Sequence, residues 1–165
     1  MVQVFITGGT VDKQYNYIDG RLYFGNSHLP DMLERGRSTV PVNITTLMMI
    51  DSLEMTDDDR QIILHNCQKS RQQRILITHG TDTMTDTARY LALGDTKDKT
   101  IVLVGALVPY AFGNSSDGFF NLGAALAFVQ LLPPGVYIAM NGQYHKWDEV
   151  RKNRRTGYFE IVEEG

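Results

Sequence analysis

The chain has 165 residues, a mass of 18.6 kDa and a formal net charge of −3 at pH 7. A chain of this length folds as about one domain and buries roughly two-thirds of its unfolded surface, so its core needs no disulfide or metal. Apolar residues make up 42% and charged residues 21%, values that exclude a disordered chain. The acidic balance, with a sequence pI of about 5.8, argues against a nucleic-acid or anionic-membrane partner.

The sequence shows no recognisable targeting signal and no pair of cysteines. Cys67 is the only cysteine, which excludes an intrachain disulfide and a cysteine-based zinc site. No apolar run approaches the roughly 20 residues of a membrane span. The opening MVQVFITGGT lacks the basic and apolar regions of a signal peptide. The sequence therefore predicts a cytoplasmic protein, and because no linker or repeat interrupts it, a single domain.

Predicted strands and helices alternate along the chain. Short apolar runs rich in β-branched residues predict five strands, at 2–6, 42–50, 74–78, 100–104 and 135–140. Capping residues and helical periodicity predict four helices, at 29–37, 57–72, 82–93 and 117–132, the last with Asp117 as N-cap. The polar segment 11–28 is predicted to be a loop, and the charged tail contains one candidate edge strand at 158–162.

This alternation, with strands that are apolar throughout, is typical of parallel strands covered on both faces. The predicted fold class is therefore α/β, with a doubly wound, mainly parallel sheet (Rossmann-like) in a single domain. Ligands of such sheets bind beyond the carboxyl ends of the strands, so the residues at those ends are the candidates for function.

The first strand ends in TGGT, at residues 7–10. Two glycines let the backbone turn sharply and direct its N–H groups outward as a nest for negative charge, although an ordinary turn has the same composition. A dinucleotide-binding fingerprint needs G-x-G-x-x-G at the start of a helix. Here a polar segment follows, and no Walker A sequence is present.

The other strand ends also carry polar or small residues. HGTDTM after the third strand places two hydroxyl groups and a carboxylate where a helix N-terminus favours negative charge. The alternative is that Thr81 or Asp82 only caps this helix. The segment 51–55 after the second strand contains Asp51 and Ser52, which also suit a capping turn. Ala106 after the fourth strand permits either close ligand approach or close packing.

These strand ends, taken in order, resemble one known family. TGGT, DS-x-x-M, HGTDTM, VGA and DG-x-FNL are similar to the N-terminal domain of the bacterial-type L-asparaginases, the asparaginase/glutaminase amidohydrolases. The resemblance runs from about residue 2 to the region of residue 152. It implies that residues 1–165 form an asparaginase N-terminal-type domain of a short, single-domain member, without the C-terminal domain of long members.

The resemblance also implies the catalytic residues. Thr10 matches the nucleophilic threonine of the family, and Thr81 and Asp82 match its second threonine and adjacent aspartate. The catalytic lysine follows a strand that ends in Met-Asn and matches Lys152. Three other basic residues are close to it in sequence and make this match less distinct than the others: Lys146, Arg151 and Arg154.

Ser52 matches the serine that holds the substrate α-carboxylate, whereas Leu53 stands where the family often has glutamine. Four further strand-end residues are expected to line the substrate: Asp51, Gly9, Gly80 and Ala106. Asp82 is also expected to bind the substrate α-ammonium.

The segment 11–27 is expected to act as a lid that is mobile without ligand. Its NYIDG sequence resembles the Asn-Tyr-x-x-Gly of the family, which makes Tyr17 the candidate lid tyrosine, with Tyr15 and Tyr23 as alternatives.

The resemblance implies hydrolysis of L-asparagine, and more weakly L-glutamine, through a threonine acyl-enzyme without metal or organic cofactor. A non-catalytic amino-acid-binding or regulatory module on the same scaffold is the alternative, and a nucleotide-binding α/β domain is a third. Apolar and aromatic residues in the loop 106–117 and just after it predict a homo-oligomer. Val108 stands where long members often have arginine before the proline, so their selectivity does not transfer directly.

Overall fold

The computed structural model describes residues 1–162. Their strands are β1 (Val2–Gly8), β2 (Lys13–Asn16), β3 (Arg21–Phe24), β4 (Val42–Ile50), β5 (Arg74–Thr78), β6 (Thr100–Val104), β7 (Gly135–Met140), β8 (Gln143–Lys146), β9 (Val150–Lys152) and β10 (Phe159–Ile161). The α-helices are α1 (Leu29–Arg35), α2 (Asp57–Lys69), α3 (Met84–Leu93) and α4 (Gly118–Leu131). Short 3-10 turns cover Thr10–Asp12 and Tyr110–Ser115.

Six strands form the central sheet in the order β4-β1-β5-β6-β7-β8. All neighbouring pairs are parallel except β7 and β8, which pair antiparallel. Successive residues of a strand point to opposite faces, so Leu76 packs with α1 and α4 whereas Ile75 and Ile77 pack with α2 and α3. The predicted α/β class, with a doubly wound and mainly parallel sheet, is confirmed.

The order of the strands places the site. The chain runs from β1 to β4 on one side and then crosses to β5 on the other side of β1. Such a reversal opens a crevice at the carboxyl ends of the strands beside it. Here it brings together the segments that follow β1, β4 and β5.

The predicted loop 11–28 is wrong over much of its length, because β2 and β3 form an antiparallel hairpin within it. Its turn is closed by Asn16, whose carbonyl accepts from the N–H of Gly20, and Gly20 has the positive φ of +71° that such a turn requires. The alternation in KQYN and RLYF around a D-G pair was the available signal.

One helix start differs from the prediction. Helix α3 begins at Met84, two residues later than expected, so Thr81 and Asp82 precede it. Asp117 holds the predicted N-cap position of α4, but its side chain makes no capping hydrogen bond. Its carboxylate instead accepts hydrogen bonds from the N–H groups of Leu107 and Val108, 3.0 Å away, which holds the loop after β6.

The tail also contains more structure than one edge strand. β8 extends the central sheet, and β9 pairs with β10 in a separate hairpin. Val150 and Phe159 anchor that hairpin in the core layer of α2 and α3. No helix within residues 1–162 combines the length and apolar character that crossing a bilayer demands.

Candidate active site

The turn after β1 lies against the loop after β5. Gly8 and Gly9 have φ values of +94° and +82°, which favour glycine. A Cβ on Gly9 would lie 2.6 Å from the Cα of Gly80, so the two backbones touch. The residues that follow these two glycines are Thr10 and Thr81, so this contact brings their backbones close together. Thr10 is partly exposed, and Thr81 is 5% exposed.

The loop after β5 in turn packs on the segment after β4. A Cβ on Gly80 would lie 2.6 Å from the Oγ of Ser52. Thr83 donates its hydroxyl to the carbonyl of Ser52 at 2.7 Å. Within residues 1–162 the backbone N–H groups of Thr10 and Thr81 donate to no backbone carbonyl in the loops and turns.

Lys152 reaches this junction from β9. Its Nζ donates to Thr81 Oγ1 and to Asp82 Oδ1, each at 2.8 Å. The Lys152 side chain is 13% exposed and that of Asp82 is 33% exposed. The structure thus assembles one hydroxyl, one ammonium and one carboxylate beside the glycine turn that precedes Thr10.

A line of amide hydrogen bonds holds the Lys152 strand in place. Phe159, the cross-strand partner of Lys152, donates its N–H to Asn141 Oδ1 at 3.0 Å. The N–H of Asn141 donates to Asn121 Oδ1, and Asn121 Nδ2 donates to the carbonyl of Gly105 at 3.0 Å. The buried Asn121 therefore links the ends of β6 and β7 to the hairpin that carries the lysine.

Of the other basic residues near Lys152, two point elsewhere and Arg154 also contacts Asp82. Lys146 and Arg151 each pair with a glutamate, at 3.8 and 3.3 Å. Arg154 contacts the carbonyl of Asp82 at 3.2 Å but is 66% exposed. Spacing in the sequence did not separate these residues, whereas the structure brings only Lys152 to Thr81 among the four.

His79 supports the loop from below. Burial and the nearby charge of Arg60 lower the pKa of His79, and the hydrogen bond to Gly80 raises it. The net effect is a pKa of about 4. The neutral ring can donate from Nδ1 to the carbonyl of Gly80 at 2.7 Å and accept at Nε2 from the hydroxyl of Thr87 at 2.8 Å. Thr87 Oγ1 also accepts from Arg60 Nε at 3.0 Å.

Sequence reasoning missed a second lysine at the site. Lys13 Nζ donates to Asp51 Oδ2, and Asp51 Oδ1 accepts from the N–H of Leu53 at 3.0 Å. Burial raises the pKa of Asp51, but these hydrogen bonds and the charges of Lys13 and Lys152 outweigh it, so the net pKa lies below its ordinary value. The two residues are 38 positions apart, and no local motif connects them.

Four of the five expected substrate contacts are buried, namely Gly9, Ser52, Gly80 and Ala106. Ser52 is 1% exposed and Ala106 is 0% exposed. Ser52 lies under the loop after β5, where its Oγ is 3.4 Å from the N–H of Thr83. In this conformation Ser52 and Ala106 shape the floor of the site, while Asp51 is part of its accessible wall.

The three candidate lid tyrosines lie on the β2–β3 hairpin. Tyr17 is 85% exposed at the turn of that hairpin. Tyr15 makes an edge contact with Phe112, with ring centroids 6.2 Å apart, and Tyr23 donates to Gln14 at 2.9 Å. Within residues 1–162 none of the three tyrosines contacts Thr81, Asp82 or Lys152 through a hydrogen bond, so the identity of the lid tyrosine stays a prediction.

A small cavity lies beneath the Thr10–Asp12 turn. It has a volume of about 10 Å³ and is lined in part by Asp12 and Thr78. Asp12 Oδ1 accepts from Ser27 Oγ at 2.8 Å and from the N–H of His28, whereas Asp12 Oδ2 and Thr78 Oγ1 are buried without partners. Burial raises the pKa of Asp12 in spite of the hydrogen bonds that oppose it.

A larger cleft of about 670 Å³ lies between the β2–β3 hairpin and the turn after β6, lined by Gln14, Tyr15, His28, Ala111, Phe112 and Ser115. It contains none of the strand-end hydroxyl or carboxylate groups. Within residues 1–162 no three His, Cys, Asp or Glu side chains are grouped to hold a metal ion.

Comparisons with known proteins identify the family of the chain. The family model "Asparaginase, N-terminal" matches residues 1–161. L-asparaginase 2 of Escherichia coli is 30% identical, and the probable periplasmic L-asparaginase of Haemophilus influenzae is 38% identical; each match covers 94% of this chain and 47% of the relative. A component of the glutamyl-tRNA(Gln) amidotransferase of Methanococcus maripaludis is 30% identical over 99% of the chain and 42% of its own length.

Solved structures show the same fold. The thermostable L-asparaginase of Thermococcus kodakarensis superposes with a TM-score of 0.82 at 23% identity, over 98% of this chain and 51% of its own. The probable cytoplasmic L-asparaginase of Campylobacter jejuni gives 0.79 at 29% identity, over 92% and 49%. The chain thus spans about half the length of these relatives. From its strand-end motifs, its sheet and these matches, the chain belongs to the asparaginase family and corresponds to the N-terminal domain of that family.

Proposed function

We propose that this chain is an amidohydrolase that converts L-asparagine to L-aspartate and ammonia, with L-glutamine as a weaker substrate. The observation that carries the proposal is the bonding of Lys152 Nζ to both Thr81 Oγ1 and Asp82 Oδ1, in the loop whose Gly80 touches the Gly9 that precedes Thr10. A threonine hydroxyl attacks an amide only when a neighbouring group removes its proton. A hydroxyl and an amine in contact next to a second hydroxyl can provide that route.

In the proposed reaction Thr10 Oγ attacks the side-chain amide carbon. Its proton passes to Thr81 Oγ1, whose own proton passes to Lys152 Nζ as Nζ gives one of its protons to the Asp82 carboxylate, its hydrogen-bond partner. The backbone N–H groups of Thr10 and Thr81, which donate to no loop or turn carbonyl within residues 1–162, are candidate donors to the tetrahedral oxyanion. The C–N bond breaks with protonation of the leaving nitrogen, ammonia departs, and water then hydrolyses the ester to restore Thr10.

The test is ammonia release from L-asparagine by the purified chain. Thr10→Ala should abolish release while retaining fold and ligand binding, and Thr46→Ala, on an exposed position of the edge strand β4, should match the wild type. Near-normal release from Thr10→Ala would remove Thr10 as nucleophile and make Thr81 the candidate. Binding of L-asparagine by the wild type without ammonia release would favour an amino-acid-binding module instead.

The chain's assembly and location belong to the same proposal. We propose a cytoplasmic homo-oligomer whose interface includes the loop 106–117. Phe112 and Leu107 in that loop are 45% and 38% exposed, whereas Tyr110 is buried. Phe120, just beyond it, is 65% exposed rather than folded onto the helices. Light scattering at micromolar concentration tests this, and an ammonia-releasing monomer of 18.6 kDa would contradict it.

A further inference from the structure

Asp12 closes the base of the β2–β3 hairpin. It directly precedes β2, whereas Ser27 and His28 follow β3. Its Oδ1 accepts hydrogen bonds from Ser27 Oγ at 2.8 Å and from the N–H of His28 at 2.9 Å. Ser27 Oγ in turn accepts from the N–H of Leu29, the buried first residue of α1. One carboxylate oxygen therefore ties the two ends of the hairpin segment to each other and to the start of α1.

The same residue belongs to the turn that presents Thr10. The N–H of Asp12 donates to the carbonyl of Gly9 at 3.1 Å, which closes the short 3-10 turn Thr10–Asp12. Asp12 is 1% exposed, so its backbone and its carboxylate are both fixed inside the protein. The base of the hairpin and the backbone of Thr10 consequently share one anchor.

The strands of the hairpin bury little surface of their own. No residue of β2 or β3 is buried, and a two-stranded hairpin is marginally stable by itself. Lys13 pairs with Asp51 of the segment after β4, but both side chains are partly exposed, and such pairs contribute little to stability. The position of the hairpin therefore depends on how its base is fastened.

This fastening has a cost in stability. Asp12 Oδ2 is buried without a partner, and so is the hydroxyl of Thr78, which lines the same small cavity. A buried carboxylate oxygen without a partner lowers the free energy of unfolding. Departures of this kind from a fully satisfied interior are expected at functional positions, and Asp12 is two residues from Thr10.

We propose that Asp12 is a positioning residue that fastens the base of the β2–β3 hairpin to the Thr10 turn and thereby keeps the Thr10 hydroxyl oriented for attack. The inference rests on the proposed function for the role of Thr10. Because Asp12 is buried, it acts through the backbone of the turn and through Ser27. The accepting oxygen carries this role, so an asparagine that retains the oxygen fulfils it, whereas an alanine does not.

Hydrogen exchange followed by mass spectrometry tests the fastening without any need for activity. Asp12→Ala should speed the exchange of residues 13–27, relative to that of β5 and β6, by about 10- to 100-fold, the effect of losing hydrogen bonds to a charged group. Asp12→Asn should exchange like the wild type. Asp19→Ala is the matched control, because Asp19 also accepts from a backbone N–H of this segment, that of Arg21. It lies at the turn of the hairpin and should change exchange only around residues 17–21.

The ammonia assay measures the effect on Thr10. Asp12→Ala should lower kcat by about 10- to 100-fold, since a displacement of about 1 Å at a reacting group can cost that much. Asp12→Asn and Asp19→Ala should keep kcat within about threefold of the wild type. A rise in KM without a fall in kcat would overturn the proposal, because the hairpin would then serve binding alone.

Unchanged exchange of the hairpin in Asp12→Ala would overturn the proposal. Uniform acceleration of the hairpin, β5 and β6 would overturn it too, because that result indicates a general loss of stability. Failure of Asp12→Asn to retain the exchange of the wild type would have the same meaning. If Asp12→Ala does not fold, Ser27→Ala decides between these outcomes. It removes one of the two bonds to Asp12 Oδ1 and should speed hairpin exchange by about 3- to 10-fold.

The hydrolysis and the role of Asp12 are rejected by different results. A wild type that releases no ammonia would reject the proposed hydrolysis and with it the role of Thr10, while the exchange experiment would still show whether Asp12 fastens the hairpin. A wild type that releases ammonia, with rapid hairpin exchange but normal kcat in Asp12→Ala, would reject the coupling to Thr10 and retain the hydrolysis.

Discussion

Acid should destabilise this protein through one histidine. Burial lowers the pKa of His79 to about 4, against an ordinary value of 6.5. Between pH 6.5 and 4 this histidine is therefore protonated in the unfolded chain but not in the folded chain. The free energy of unfolding consequently falls as the pH drops from 6.5 towards 4. At pH 4.5 the loss from this residue alone is about 2.5 kcal/mol, since each unit between the two pKa values is worth about 1.4 kcal/mol.

The perturbation is His79→Gln, which keeps a polar side chain in contact range of Thr87 and Gly80 but does not titrate. Urea unfolding at pH 7.5 and 4.5 measures the effect. The variant should be less stable than the wild type at pH 7.5, yet its loss between the two pH values should be smaller by about 2.5 kcal/mol, or about 1–2 M in the urea midpoint.

His65→Gln is the matched control, because His65 lies on the exposed face of α2. Burial also lowers the pKa of His145, but that residue contributes equally to the wild type and the variant, so the comparison removes it. Equal losses on acidification for the wild type and His79→Gln would refute the reasoning, because the native ring would then be protonated without cost.

Three further outcomes follow from other contacts. Thr81→Val and Lys152→Met should each lower kcat by about 10²- to 10⁴-fold. The double variant should lose no more activity than the worse single variant, because the two groups form one proton route. Losses that multiply in the ammonia assay would argue against a shared route. Asp12→Asn should raise the free energy of unfolding by about 1–3 kcal/mol, because it removes a buried carboxylate that has one oxygen without a partner. That gain should appear as the pH rises above 3.8, where the raised pKa of Asp12 makes ionisation costly in the folded state, and an equal gain at pH 3 would contradict the charge argument. Burial raises the pKa of Cys67 to about 12, so iodoacetamide at pH 7.5 should label it only in urea, as mass spectrometry would show.

Local patterns were sufficient for the five parallel strands of the central sheet and for the strand ends that meet at the candidate site. Apolar runs of five or six residues mark β5 to β7 at their observed bounds, because these central strands are buried on both faces. The edge strand β4 also lies at its predicted bounds, although it is partly exposed. The motifs at residues 7–10 and 79–84 follow neighbouring strands. They lie close together because parallel strands place all their carboxyl ends at one edge of the sheet. The β2–β3 hairpin was missed because its polar, half-exposed strands lack that apolar signal.

The remaining features depend on contacts between distant parts of the chain. Lys152 and Thr81 are 71 positions apart, and four basic residues near position 152 have similar chemistry. The choice among them is made by the β9–β10 hairpin, which Asn141 holds at the end of β7. Lys13 and Asp51 meet only because β1 pairs with β4. The sequence alone determines which residues are apolar, flexible or reactive, whereas the pairing of strands decides which charges share a crevice, because that pairing depends on free energy summed over the whole core.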